Sequence, residues 1–400
     1  MIIFKKKGDG NFMEHRKSKV VVNIPNSGGK KVKVRQVNHS FLFGCSEFST
    51  LEYASKEMDA ETAALAEKRY GHMAELMNFV TLPFYWGRYE PEEGKPDETR
   101  MEAAARFLKD KGLTLKGHPL CWHTVCAPWL LTKTNDQIFN TQITRIRRDI
   151  EKFAGLIDMW DVINEAVIMP LFDKYDNAMT RLCKERGRIK LIRDLFNEAR
   201  ASSPNATLLI NDFETSEAYD ILVEGLLEAG VPIDAIGIQS HMHQGYWGVE
   251  KTQEILERFS RFNLPLHFTE TSLVSGHIMP REIKDLNDYK ITSWESTPEG
   301  EARQAEETIT HYETLFSHPL VTSITWWSFT DGQWLGAPSG LLDKNCDPKP
   351  AYNALLKKVK GEWFTGEHEL TADENGMINV TGFKGDYIAI CDGEEIKFSL

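Results

Sequence analysis

Short apolar runs and amphipathic stretches alternate along this chain from about residue 40 to residue 360. The runs Phe41–Gly44, Asn78–Leu82, Thr114–Trp122, Ile157–Ile163, Thr207–Asn211, Ala235–Gln239, Leu266–Thr269 and Val321–Ser328 are rich in β-branched and aromatic residues, as strands buried on both faces require. Between them Ala60–Met77, Glu102–Lys111, Asp136–Ala154, Arg188–Ala201, Ala218–Ala229, Val249–Phe262, Gly300–Phe316 and Tyr352–Lys360 repeat their apolar positions every three to four residues, predicting helices. Eight strand-helix units in succession predict an α/β fold, a closed (β/α)8 TIM barrel over 40–360, whose reactive groups belong at the carboxyl ends of the strands.

Both ends of the chain leave this rhythm. Val20 and Val22, then Val32 and Val34, alternate about Asn26-Ser27-Gly28-Gly29, which predicts an N-terminal β-hairpin within segment 1–39, packed beside the barrel. Segment 361–400 has three short strand patterns parted by Gly376, Gly385 and Gly393, a small C-terminal β appendage. Its aromatic residues Trp363, Phe364, Phe383 and Tyr387 fall at core-like spacing and are expected to pack against the barrel rather than bind a ligand.

Charge narrows the choice of partner. The formal net charge of −12 repels polyanions, so nucleic acid is not an expected partner, whereas a neutral polymer meets no barrier. Ten Lys and Arg within residues 1–35, against Asp9 and Glu14, form a basic arm read as a solvated tail or surface strand. No window reaches the ~20 apolar residues of a membrane span, and no export signal is visible. With six scattered cysteines and no CxxC pair, the expectation is a monomer in the cytoplasm, or a secreted protein whose leader has been removed.

Two of the predicted strands end on an acid: Trp160-Asp161-Val162-Ile163-Asn164-Glu165 and Leu266-His267-Phe268-Thr269-Glu270. A pair of carboxyl groups facing each other across a sugar is the minimum apparatus for cleaving a glycosidic bond. Glu165, after a buried run, suits a proton donor, and the competing reading is a cap on the following helix. Glu270 suits a nucleophile if His241, in Gln239-Ser240-His241-Met242-His243, holds it ionised. Asn164 is placed to meet a sugar hydroxyl beside the reacting carbon.

A cleft for a sugar is legible at other strand ends. Gly117-His118-Pro119-Leu120-Cys121-Trp122-His123 brings two imidazoles and an indole, Asn211-Asp212 ends another strand, and Trp326-Trp327-Ser328-Phe329 leads to Asp331 and Trp334. Indole faces cover the C–H face of a pyranose while polar neighbours satisfy its hydroxyls. A zinc site drawn from His241, His243, His118, His123, Asp212 and Glu270 is a competing chemistry, disfavoured because barrel hydrolases of that kind carry their His-x-His pair on the first strand and here it follows the sixth.

Taken in order, GHPLCWH, WDVINEA, IND, GVPIDAIGIQSH and the Thr269-Glu270 pair resemble glycoside hydrolase family 10, the retaining endo-β-1,4-xylanases, from about residue 40 to 358. The resemblance implies that Glu165 is the general acid/base and Glu270 the nucleophile, with the two carboxyl groups ~5 to 5.5 Å apart as retention requires. It implies that His118, Asn164, Gln239 and His241 hold the reacting sugar or steer the nucleophile, that Trp327 and Trp334 wall the cleft, and that no metal and no organic cofactor is needed. Trp122, His123, Asn211 and Trp86 complete the expected sugar contacts, and the implied partner is a β-linked oligosaccharide or polysaccharide. Three departures stand out. Thr81-Leu82-Pro83-Phe84-Tyr85-Trp86 replaces a Thr-x-Glu-Asn-x-x-Lys-Trp pattern that binds the next sugar on the non-reducing side; Val125 replaces a Gln; Ser272 replaces an Asp that supports the His. The first expectation is therefore a β-1,4-xylanase, the second a β-glycosidase for a different or decorated sugar or an aryl or alkyl glycoside, and the third a non-catalytic carbohydrate-binding relative.

Overall fold

The computed structural model describes residues 13–400. Its centre is a closed barrel of eight parallel strands, β1 (Leu42–Ser46), β2 (Phe79–Pro83), β3 (Thr114–His118), β4 (Met159–Asn164), β5 (Thr207–Asp212), β6 (Ala235–Met242), β7 (Leu266–Leu273) and β8 (Val321–Trp326), with β8 pairing to β1. The α/β reading therefore holds as a (β/α)8 barrel. Helices Ala60–Leu76, Glu98–Asp110, Asn135–Lys152, Arg188–Ser202, Glu217–Glu228, Gly248–Ser260, Pro298–Phe316 and Pro350–Lys357 cover it. Their starts follow from the sequence: Thr134 and Gln137 form a reciprocal capping box, and Asp59 and Thr297 accept from the amides of Thr62 and Gly300. A further helix, Ala178–Arg186, precedes Arg188–Ser202 and is separated from it by Gly187, whose φ of 80° only glycine adopts freely.

Close approach between strands sets the depth at which side chains enter the barrel. A Cβ on Gly237 of β6 would lie 2.4 Å from Oδ1 of Asn211, so glycine there leaves room for that amide. Gly117 likewise admits the Trp160 indole, which a Cβ would meet at 2.2 Å.

The two strands flanking the Asn26–Gly29 turn are present, Lys17–Asn23 and Lys31–His39, but their hydrogen bonds go elsewhere than to each other. Lys17–Asn23 pairs with Met377–Phe383, and Lys31–His39 lies between His368–Thr371 and Gly385–Cys391, with Glu394–Ser399 outermost. The alternating valines explain why: Val22, Val32 and Val34 meet face to face with Ile378, Val380, Tyr387 and Ala389 in one small core. The expected hairpin and the expected appendage are thus interleaved halves of one β unit. Trp363 stacks on Phe316, ring centroids 4.5 Å apart, and Tyr387 and Phe383 are buried, so these aromatics serve packing. The first twelve residues of the basic arm lie outside the described residues.

Arg16 fastens this unit to the base of the barrel. Its Nε donates to the Phe316 carbonyl at 2.8 Å and its Nη2 to those of His318 and Val321 at 2.6 and 2.7 Å, while its guanidinium lies over the rings of Phe41 and Phe316. Arg16→Ala strands three buried carbonyls and removes the cation contact, so a loss of about 2–4 kcal/mol in unfolding free energy is expected in urea titration.

Among the described residues no helix is long and apolar enough to cross a membrane, and the six cysteines are free, five of them buried.

Candidate active site

Glu165 and Glu270 both stand at the carboxyl end of the barrel, one just past β4 and the other within β7. The chain turns sharply at Glu165, where φ is 54°, a left-handed conformation that costs a non-glycine residue about 1–3 kcal/mol and is held by its amide donating to the Asn211 carbonyl at 2.8 Å. That turn aims the carboxylate into the mouth. Its Oε2 accepts from the Trp122 indole at 2.8 Å and its Oε1 from Gln239 and Asn164 at 3.2 and 3.3 Å. The side chain therefore caps no helix.

Glu270 is held by a different set of partners. Asn211 Nδ2 donates to its Oε1 at 2.8 Å, His241 Nε2 lies 3.1 Å from its Oε2, and His118 Nε2 is 4.0 Å from Oε1. Three amide side chains join the acids: Asn164 Oδ1 accepts from both Asn211 (2.8 Å) and Gln239 (3.2 Å), which in turn donate to Glu270 and Glu165. The Asn211 amide is itself oriented by Thr269 Oγ1, 2.6 Å from its Oδ1. Asn164, Gln239, His241, His118, Trp122 and Asn211 are thus brought together around the two carboxyl groups.

The two environments push proton affinity in opposite directions. Burial, the charge of Glu270 and that of Asp212 raise the Glu165 carboxyl to about 8. Burial opposes ionisation of Glu270 too, but the His241 hydrogen bond and the charges of His118, His241 and Lys116 hold it below the ordinary glutamate value. One acid keeps its proton at neutral pH and the other gives it up, the pairing needed for a donor beside a nucleophile. A raised carboxyl affinity also costs stability: the folded form of Glu165 retains a proton that the unfolded chain, with its ordinary value of 4.5, releases. Glu165→Gln is therefore expected to melt above the unsubstituted protein, with a gap that opens above pH 4.5 and levels off beyond about 8; a pH series of thermal melts checks it.

Beneath the acids lies a charged pair that the sequence reading passed over. Lys116 Nζ and His118 Nδ1 both contact Asp161 Oδ2 at 2.7 Å, with all three side chains buried. Asp161 fixes the ring of His118 and so points its Nε2 at Glu270. A lysine inside an otherwise apolar strand was the signal available. His241 Nδ1 meets Ser272 Oγ at 3.3 Å, and the same hydroxyl is 3.3 Å from His243 Nδ1. One hydroxyl shared by two imidazoles stands where a carboxylate was the resembling pattern's choice.

The aromatic residues divide. Trp327 touches His118, His241 and Phe48, and Trp334 packs on His241 and His243 with centroids 4.6 and 5.1 Å away. His123 faces Glu165 Oε2 at 4.0 Å and packs on Phe172. Trp86 is elsewhere. It is 4% exposed, its Nε1 donates to Glu90 at 3.1 Å, and the Arg145 guanidinium covers its ring, so the expected sugar contact of Trp86 is corrected to a core role. Tyr85, one residue earlier, is the aromatic of that segment that meets the site, against His118 and Trp122. The helical turn Trp86–Tyr89 swings Trp86 inward, a change of phase that strand alternation does not reveal.

Two loop braces complete the mouth. Buried Lys349 binds Asp331, Ser275 and the Gly340 carbonyl at 3.0, 2.8 and 3.0 Å, so Lys349 ties Asp331 and the loop after β8 to the loop after β7. Lys174, after β4, binds Asp285 and Asp288, after β7, across the ends of β5 and β6. Among the described residues no group of three or more His, Cys, Asp and Glu side chains is placed to hold a metal ion, and His243 lies behind His241 with its Nδ1 on Ser272.

The family model described as "Glycosyl hydrolase family 10" matches residues 51–358. Among curated relatives, an endo-1,4-beta-xylanase/feruloyl esterase of Xylanibacter ruminicola is 24% identical over 86% of this chain and 50% of its own length. Endo-1,4-beta-xylanase B of Thermotoga neapolitana is 26% identical over 69% of this chain and 78% of its own. The chain spans half or less of the first relatives it matches, 50%, 30% and 40% of their lengths. Among solved structures, native xylanase 10B from Thermotoga maritima superimposes with a TM-score of 0.64 at 24% identity, covering 81% of this chain and 96% of that one. Xylanase 10B of Thermotoga petrophila in complex with xylobiose gives 0.63 at 22%, covering 80% and 94%.

Proposed function

The chain belongs to glycosyl hydrolase family 10, and from that premise we propose that it hydrolyses β-1,4-xylosidic bonds of xylan or xylooligosaccharides with retention of configuration. The observation that carries the reading is the opposed proton affinity of two carboxyl groups joined through Asn164, Asn211 and Gln239. Glu270, ionised, attacks the anomeric carbon as Glu165 gives its proton to the departing oxygen, leaving a glycosyl ester on Glu270. Glu165, now a carboxylate, takes a proton from water, and the resulting attack releases a sugar of the original configuration. Asn164 offers its amide at the reacting ring, Asn211 holds Glu270 in place through its Nδ2, and His241 steadies the charge that Glu270 regains.

The names of the relatives support xylan as the substrate class, and the buried aromatic and imidazole wall suits an uncharged sugar. The test follows the first-formed product by proton NMR during cleavage of xylooligosaccharides. A β-anomer that mutarotates afterwards agrees with the proposal; an α-anomer first requires inversion and removes the covalent step. Cleavage confined to another β-glycoside replaces the substrate, and sugar binding with no turnover of any glycoside replaces catalysis with recognition.

A further inference from the structure

Four strand ends in succession, those of β8, β1, β2 and β3, carry rings that touch edge to edge. Phe48 lies against Tyr85 (centroids 5.7 Å) and Trp327 (5.4 Å); Tyr85 and Trp327 each lie against His118, at 5.6 and 5.4 Å. The contacts close a circuit, Phe48 to Tyr85 to His118 to Trp327 and back. Rings at these separations are in van der Waals contact, so no pyranose passes between any two of them. Trp327 is only 5% exposed because Phe48 and the two imidazoles already cover it.

The circuit is on the nucleophile's side of the mouth. His118 is a member and its Nε2 faces Glu270, while Trp327 also touches His241, the other imidazole on that carboxylate. Tyr85 reaches between the groups serving both acids, since its ring also packs on Trp122, which donates to Glu165. The sugar that becomes attached to Glu270 must therefore sit against this wall. A second unit on its non-reducing side would need space, and it meets ring edges already in contact with each other.

We propose that Phe48, Tyr85 and Trp327 form an aromatic stop on the non-reducing side, so that a single sugar unit fits beyond the scissile bond and chains are shortened one unit at a time from that end. The inference rests on the proposed function for its sugar and on the ring contacts for its geometry. The substrate class it assigns is non-reducing chain ends and short or aryl β-glycosides, rather than the interior of a polymer.

The test compares 4-nitrophenyl β-xyloside with 4-nitrophenyl β-xylobioside, using the full chain and chromatography of quenched early time points. From the bioside, xylose and nitrophenyl xyloside are expected first, with nitrophenol following after a lag, and the xyloside is cleaved with no lag. Xylobiose and nitrophenol as the first products overturn the stop. The Phe48→Ala/Tyr85→Ala variant is expected to raise direct xylobiose release, relative to xyloside cleavage, at least tenfold; a ratio within twofold of the starting one, in a protein that still melts cooperatively, overturns it also. Should that variant not fold, the product order from the unsubstituted protein decides alone. Cleavage of another sugar's aryl monoside, with both xylosides inert, removes xylan but leaves the stop to be judged on that sugar's mono- and bioside pair. Absence of turnover on every glycoside removes both.

Discussion

Glu270→Gly is expected to abolish turnover, with kcat lower by roughly 10^4- to 10^6-fold on an aryl glycoside, the scale seen when the nucleophile of a concerted site is deleted. In the proposed reaction the carboxylate has two duties. It supplies the attacking oxygen and the negative charge that offsets the oxocarbenium-like transition state, and His241, His118 and Lys116 are arranged to keep it ionised despite burial. Removing it leaves a cavity beside Asn211 and His241 large enough for a small anion. Added azide is then expected to restore part of the turnover by direct attack, giving the α-glycosyl azide, because only one displacement remains. A β-azide from this variant places the nucleophile elsewhere. Equal activity of the variant and the unsubstituted protein removes Glu270 from the reaction.

How far the sequence foretold this site depends on what kind of information each residue needed. The barrel strands were legible because both of their faces are buried, which turns Leu208-Leu209-Ile210 or Ala235-Ile236-Gly237-Ile238 into unbroken apolar runs. Glu165 and Glu270 were legible because each interrupts such a run at its end. Partners in space were not legible. The valines of residues 20–34 announce which way their strands face, yet nothing local says that Val20 pairs with Val380 rather than with its neighbour across the turn. The adjacent Tyr85 and Trp86 look equivalent until the helical turn separates them, and of the partners that claim Trp86, Glu90 lies one turn on while Arg145 comes from the helix Asn135–Lys152. Asp161 was in plain view inside its motif, but its duty to His118 exists only because β3 lies beside β4. The helix Ala178–Arg186 escaped notice through its polar composition, although Asn177 as its cap and Gly187 as its stop were both readable.

Glu165→Ala is expected to separate the two halves of the reaction. With a sugar as leaving group, kcat falls by about 10^2- to 10^4-fold, because no other group delivers a proton to the glycosidic oxygen. With a nitrophenolate, which departs without protonation, formation of the glycosyl-enzyme survives while its hydrolysis slows, and a burst of nitrophenol precedes a slow steady state. Azide accelerates that second step and here gives the β-azide, the opposite anomer from Glu270→Gly, since two displacements occur. The pH profile supplies an independent reading. In the unsubstituted protein kcat/KM is expected to decline as pH rises through about 8, where Glu165 loses its proton, and below neutrality to fall only when Glu270 is protonated, below the usual glutamate range. Glu165→Ala erases the alkaline decline. Asp212 is the rival for that limb: burial lifts it to about 7, and it lies close enough for its charge to raise Glu165. Its oxygens, however, accept from the amides of Val167 and Glu214, which ties it to the backbone after β4 and β5. Asp212→Asn should therefore leave the alkaline limb in place, shifted to lower pH values because one of the charges that raises Glu165 is gone. A limb that vanishes in Asp212→Asn and persists in Glu165→Ala would reassign the proton donor to Asp212.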